Sequence, residues 1–293
     1  MKVSDTKSKL FAITVLTLLV LFGTHPVAAQ NGPGDVGDTT SATAGPGLQL
    51  WLSAGVNVNG GSAVDGDPVS SWGDRSANGI DVTQGTPANQ PTYRVGTNTI
   101  GAEAAVEFDG TDHFLEADPG AHNARTVFVV YRIDNGLTKD DFGQLWGDYD
   151  DEVHIAAESR NNNDDQFGFS FDGNENNTLA DYALEGQNFT GTFNDDDNTQ
   201  QWAFDDYFIL ATEFQNQQSL SKYYLGTLFS TTDPGTFGKT EFLLGGQIAE
   251  IIVYESTLSN AQRSNVEDFL FNKYKYSFQA NYPDNITGVG HQL

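Results

Sequence analysis

The chain has no cysteine in its 293 residues. No disulfide can form, and the usual thiolate ligands of structural zinc are missing. Stability has to come from an apolar core, with bound metal ions as the other resource. Basic residues are also scarce: 14 Lys and Arg stand against 40 Asp and Glu, for a formal net charge of −26. A phosphate backbone needs Lys and Arg to neutralise it, so nucleic acid is excluded as a partner. An anionic membrane is a poor partner for the same reason. Long apolar runs are absent. The longest, Leu10 to Phe22, is about 13 residues, short of the roughly 20 that span a bilayer. There is no H-x-x-x-H pair, no G-x-S-x-G elbow, no glycine-rich phosphate loop after a strand and no repeat with a period of 20–50 residues. These absences remove the common zinc, serine-nucleophile, nucleotide-binding and solenoid classes.

What is present begins with a targeting segment. Lys2, Lys7 and Lys9 precede the Leu10–Phe22 run, and Val27-Ala28-Ala29 supplies small residues for cleavage before Gln30. Residues 1–29 read as a signal peptide, and the mature protein as secreted or held at the cell surface, with no membrane insertion after signal removal. Cleavage would remove three Lys and one Asp, moving the net charge from −26 to −28. Most of the acids are spread along the chain. They fit a solvated surface suited to salty surroundings, and calcium sites are the competing reading.

Residues 30–46 are Gly, Pro, Thr, Ser and Asp with almost no apolar mass, which predicts a flexible linker. Strand patterns follow at short, regular spacing. Leu48-Gln-Leu-Trp-Leu52 alternates, with Leu48, Leu50 and Leu52 on one face and Trp51 on the other. Ala104–Asp109 ends in a tight Asp109-Gly110 turn signal. Arg125–Tyr131 is nearly unbroken apolar sequence, as in a central strand covered on both faces. Between 140 and 206, short strands alternate with Asp- and Asn-rich loops.

The chain closes differently. Gly246–Tyr254 reads as a β-branched strand. Ser259 and Gln262 then form a capping box, and Val266, Phe269, Leu270 and Lys273 recur at helical spacing. Glu250 and Arg263 are placed to pair or cap across the strand–helix joint.

This stretch resembles the closing signature of laminin-G-like, concanavalin A-like jelly-roll modules of secreted bacterial proteins. In that family a strand ending E-I-I-x-Y passes through a Leu-Ser turn into a helix carrying an Arg and then Y/F-L…K-Y. Glu250, Ile251, Ile252, Tyr254, Leu258, Ser259, Arg263, Phe269, Leu270, Lys273 and Tyr274 stand at those places. The opening L-x-L-W-L (Leu48, Leu50, Trp51, Leu52), a W-x-D-x-S element (Trp72, Asp74, Ser76) and a V-x-F-D-G element (Val106, Phe108, Asp109, Gly110) agree with it. The likeness covers residues 47–278, leaving 279–293 as a tail. It implies an all-β, two-sheet antiparallel jelly-roll sandwich with one C-terminal helix, and calcium at the sheet rim.

Three chemistries compete. Glycosidases on such a fold carry E-x-D-x-(x)-E on one strand face. The nearest run, Glu107-Phe-Asp109-Gly-Thr-Asp112, ends in Asp and breaks at a turn, so no catalytic residue is assigned. Calcium would take carboxylates from loops, with Asp148, Asp150, Asp195, Asp196 and Asp197 as the candidate ligands. Carbohydrate binding pairs an aromatic platform with Asp and Asn hydrogen-bonders. Trp146 with Tyr149, and Trp202 beside the 194–198 loop, supply that combination. The expectation is an exported, non-catalytic module that binds carbohydrate or a surface glycoconjugate, calcium-assisted. A polysaccharide-cleaving hydrolase and a structural envelope module are the alternatives.

Overall fold

A computed structural model of the chain describes residues 31–97, 99–118, 120, 122–133, 142–148, 153–159, 166–170, 179–184, 187–189, 200–201, 207–227, 229 and 243–274. Among them are sixteen strands and one α-helix. In chain order the strands are β1 (Leu48–Ser53), β2 (Ser71–Trp72), β3 (Val82–Thr83), β4 (Thr92–Arg94), β5 (Ala105–Asp109), β6 (Leu115–Ala117), β7 (His122–Ile133) and β8 (Phe142–Asp148). They continue with β9 (Val153–Ser159), β10 (Gln166–Ser170), β11 (Leu179–Leu184), β12 (Gln187–Phe189), β13 (Gln200–Gln201), β14 (Tyr207–Leu220), β15 (Tyr223–Leu225) and β16 (Gly245–Tyr254). Helix α1 (Asn260–Tyr274) follows.

The strands form two eight-stranded sheets. The first runs β12-β11-β14-β7-β16-β5-β4, with β1 added on β16. The second runs β13-β10-β9-β8-β15-β6-β3-β2. Every pairing is antiparallel. The fold is an all-β two-sheet sandwich closed by one helix, as the strand spacing predicts.

Strand β7, between β14 and β16 in the first sheet, is buried on both faces, which explains its apolar run. Val127, Val129 and Tyr131 enter the core between the sheets, while Phe128 and Val130 enter a second core beneath α1. Strand β16 behaves likewise. Its register against β7 slips between Ile248 and Glu250. On its other edge β5 pairs with Gly245–Ile248 and β1 pairs with Glu250–Tyr254. The slip therefore lies where one edge neighbour hands over to the other, and it turns Glu250 to the helix side.

Two expectations change. Leu50 and Leu52 face the inter-sheet core with Trp51 opposite, but Leu48 joins Trp51 in the second core, because the β1 register shifts between Leu48 and Leu50. Residues 31–46, expected as a flexible linker, are packed instead. Val36 is buried in the second core, and its carbonyl accepts from the Tyr254 hydroxyl at 3.2 Å. Gly34, at φ +63°, lies so close to α1 that a Cβ there would come within 2.2 Å of the Asn265 carbonyl oxygen. Glycine composition here signals close approach rather than freedom.

Helix α1 starts as its sequence predicts. The Ser259 N–H donates to Gln262 Oε1 at 2.9 Å and the Gln262 N–H donates to Ser259 Oγ at 3.3 Å. Val266 and Leu270 are buried, with Tyr274 one turn beyond them. No helix among the described residues is long and apolar enough to cross a membrane.

Candidate functional site

The second sheet offers an open cleft on the face away from the core. Leu115, Ala117, Val82, Tyr223 and Leu225 all point into the inter-sheet core. Strand alternation therefore turns Thr83, Glu116 and Tyr224 outward. Register sets these three side by side, since Thr83 pairs with Glu116 and Glu116 with Tyr224. The row continues through Gly147 to the His154 position. Asp81 and Asp118 flank the row, two residues from Thr83 and from Glu116.

Over its Thr83–Glu116–Tyr224 part lies a cleft of about 510 Å³, lined by these three with Asp81, Ala117, Asp118, Lys222 and Phe229. The Phe229 ring stands edge-on to Tyr224, with centroids 5.4 Å apart and planes at 70°. Tyr224 is 2% exposed and Phe229 partly exposed, so Tyr224 buttresses the ring that Phe229 presents. Lys222 Nζ is 3.3 Å from Asp118 Oδ2, with the Asp118 side chain mostly and the Lys222 side chain partly in solvent. The cleft thus combines an aromatic wall, a hydroxyl, three carboxylates and one ammonium. That is a polar-plus-aromatic surface of the kind that grips a sugar.

Strand β8 continues the sheet beside it. The register shift between Gln144 and Trp146 sends Leu145 and Trp146 together into the core. Trp146 has no exposed surface, and its indole ring lies 6.0 Å from that of Tyr223. Its expected role as a stacking platform is corrected on this ground: a sugar cannot reach a ring covered on both sides. Asp148 ends β8, paired with Val153. Tyr149, Asp150, Asp195, Asp196, Asp197 and Trp202 lie outside the described residues.

The acidic run at the end of β5 and in the turn after it is structural. Phe108 is buried, with Glu107 and Asp109 on the opposite face. Glu107 Oε1 holds Arg94 Nη2 at 2.9 Å, and its Oε2 accepts from Gln247 at 3.3 Å. Asp109 Oδ1 accepts backbone N–H groups from Thr111, Asp112 and His113 at 2.9, 3.2 and 3.3 Å. Burial alone would raise the Asp109 carboxyl. These N–H groups and the His113 ring outweigh it and hold the carboxyl below its ordinary value. Asp109, Asp112 and His113 bring one ligand atom each within 4.8 Å of one another. In the sequence the two aspartates belong to the run that fails as an E-x-D-x-(x)-E motif.

The W-x-D-x-S element is a turn. Asp74 Oδ1 accepts the Trp51 and Ser76 N–H groups at 2.9 and 2.8 Å, and Oδ2 accepts the Ile80 N–H and the Ser76 hydroxyl at 2.9 and 2.6 Å. Both carboxylate oxygens of Asp74 are thus engaged within the fold.

Sequence reasoning missed the cleft. Its signal was the alternation in Leu115-Glu-Ala-Asp118, which places Glu116 and Asp118 on one face at E-x-D spacing.

Solved structures similar to this chain are remote. An arabinofuranosidase complexed with arabinofuranosyl-alpha-1,2-xylobiose matches 71% of this chain and 51% of its own, at 11% identity and TM-score 0.42. A Trypanosoma rangeli sialidase, solved as a covalent intermediate with 2,3-difluorosialic acid, matches 81% of this chain and 34% of its own, at 12% identity and TM-score 0.35. The chain spans about half or less of the length of these proteins. Likeness at this level says nothing of activity or substrate. No family model and no curated protein matches the chain.

Proposed function

We propose that the chain is an exported, non-catalytic carbohydrate-recognition module of laminin-G-like, jelly-roll type, secreted or held at the cell surface, and that it binds glycan in the cleft over β3, β6 and β15. The observation that carries this reading is the Phe229 ring, buttressed by Tyr224, facing a row of outward polar side chains across about 510 Å³. Calcium belongs to the proposal through the acidic loop residues Asp148, Asp150, Asp195, Asp196 and Asp197. The test is a glycan array probed with and without a calcium chelator. Binding to a defined glycan supports the reading, a loss on chelation supports the calcium part, and no binding in either state sinks it.

A polysaccharide-cleaving hydrolase is the second reading, favoured by one feature. Glu116 in β6 and Asp118, just past the end of that strand, both line the cleft two residues apart, and a carboxylate pair can flank a glycosidic bond there. Release of reducing ends from a polysaccharide panel, abolished by Glu116→Gln, would establish catalysis in place of plain recognition.

A further inference from the structure

We propose that the corner beneath the cleft is a pH-sensitive latch: protonation of His122 parts it and dismantles the cleft wall. Two connections pass between the sheets side by side there. Strand β6 lies in the second sheet and β7 in the first, while β14 lies in the first and β15 in the second. Pairing continues on both sides of the bend, with Ala117 opposite Tyr223 before it and His122 opposite Leu220 after it. The two chains therefore turn the corner as one ribbon. On its buried side the His122 ring packs against the Tyr223 ring, with centroids 5.7 Å apart. On its exposed side Lys222 Nζ meets Asp118 Oδ2 at 3.3 Å, and both residues line the cleft. His122 is 1% exposed, and neither ring nitrogen has a hydrogen-bond partner among the described residues. The Tyr223 hydroxyl is turned to the Ile80 carbonyl at 3.3 Å. Of the titratable and charged groups on the surrounding elements, Tyr223 feels Asp74 and Asp81, Lys222 holds Asp118, and Arg125 of β7 holds Glu213 of β14 at 3.5 Å. Glu116 of β6 faces the cleft. A proton on His122 thus creates a buried cation without an acceptor, which burial strongly disfavours. Parting the ribbon lets water reach the ring. That shift moves Lys222 and Tyr224, the two neighbours of Tyr223, and Tyr224 carries the Phe229 ring. Burial lowers the His122 pKa from 6.5 to about 4. The closed corner is therefore favoured fully above about pH 6.5 and loses ground as pH falls toward 4. The latch concerns the cleft itself: an empty glycan array leaves it standing, and its own failure leaves carbohydrate recognition standing.

The test is amide hydrogen exchange on the full chain, with protection factors corrected for the intrinsic pH dependence of exchange. Between pH 7 and pH 5, the two pKa values predict that protection of residues 115–118 and 220–225 falls by up to about twentyfold relative to residues 127–131 at the centre of β7. His122→Phe should remove that fall. Asp118→Asn abolishes the outer ion pair but keeps the imidazole, so it should retain the fall. An equal fall in wild type and His122→Phe, a uniform fall along the chain, or a fall that Asp118→Asn removes would each overturn the latch. An NMR titration of the wild-type chain answers without a variant. The His122 and Phe229 ring signals must move together, with one midpoint between about pH 4 and 6.5. A Phe229 ring that keeps its environment while His122 titrates, or a His122 that titrates only as the whole chain unfolds, overturns the latch as well.

Discussion

Trp51 Nε1 donates to Glu250 Oε1 at 2.7 Å, joining residues 199 positions apart. The other carboxylate oxygen accepts from the Tyr274 hydroxyl at 2.6 Å and from Lys273 Nζ, which also donates to Ser53 Oγ at 2.9 Å. Glu250 has no exposed surface. The Trp51 ring is covered by the Arg75 guanidinium, 3.6 Å from its centroid, and by the edge of Phe269 at 6.1 Å. The first strand, the last strand and the helix are thus tied at one buried carboxylate. An amide in its place removes the counter-charge of Lys273 and turns an N–H2 donor toward either the Trp51 indole N–H or the Tyr274 hydroxyl and Lys273. Glu250→Gln is expected to cost about 2–4 kcal/mol, below the full buried-pair figure because Lys273 is partly exposed. Urea unfolding at neutral pH measures it. A loss under about 0.5 kcal/mol would mean that the tie is ornamental.

The N-terminal segment gives a second test. With φ at +63° and the Asn265 carbonyl oxygen 2.2 Å from where a Cβ would sit, Gly34 tolerates no side chain unless the segment lifts off α1. Gly34→Ala should destabilise by more than about 1 kcal/mol. Amide hydrogen exchange should also rise selectively in residues 31–46. Unchanged exchange there would mean the segment is not held through this contact.

The fold was legible in the sequence for physical reasons that can be named. The strand patterns of β1 and β5, the apolar run in β7 and the capping box of α1 each report a local environment, and each element formed where predicted, although the face of Leu48 did not. Two features escaped because they depend on register. The slips at Leu48–Leu50 and Ile248–Glu250 reverse which face a residue takes, and no local pattern marks them. One consequence is that Glu250 meets Lys273, while Arg263, its expected partner, pairs with Glu267 at 2.9 Å one helical turn along. The site was less legible than the fold. The acidic loops drew attention by composition, whereas the cleft residues come from three strands whose adjacency only the sheet order creates. Trp146 misled for the same reason, since the shift in β8 turns it inward.

Stability should fall in acid because of His122. Its ring is buried at the start of β7, 5.7 Å from that of Tyr223, and neither ring nitrogen has a hydrogen-bond partner among the described residues. Burial lowers its pKa from 6.5 to about 4. The folded state therefore binds fewer protons than the unfolded chain in this window. Its contribution is complete above about pH 6.5 and is lost progressively as pH falls to about 4, by at most about 3 kcal/mol. Asp74 acts in the opposite sense, because burial raises its carboxyl. The readout is thus the difference between wild type and His122→Phe across pH. Parallel urea midpoints for the two proteins from pH 7 to 4 would rule out this role for His122.

Two aromatic residues should separate folding from binding. Trp146 is fully buried in the inter-sheet core, and Phe229 is partly exposed at the cleft wall. Trp146→Ala should cost about 3–5 kcal/mol through the cavity it leaves. Any Trp146 variant that still folds, such as Trp146→Phe, should bind glycan with wild-type affinity. Phe229→Ala should do the reverse. It leaves the urea midpoint nearly unchanged and weakens glycan binding about fivefold to tenfold, the worth of one aromatic contact of about 1 kcal/mol. Paired calorimetry and denaturation on both variants decide the matter. Weakened binding in folded Trp146→Phe with full binding in Phe229→Ala would move the site off this cleft and back toward β8 and the acidic loops around it.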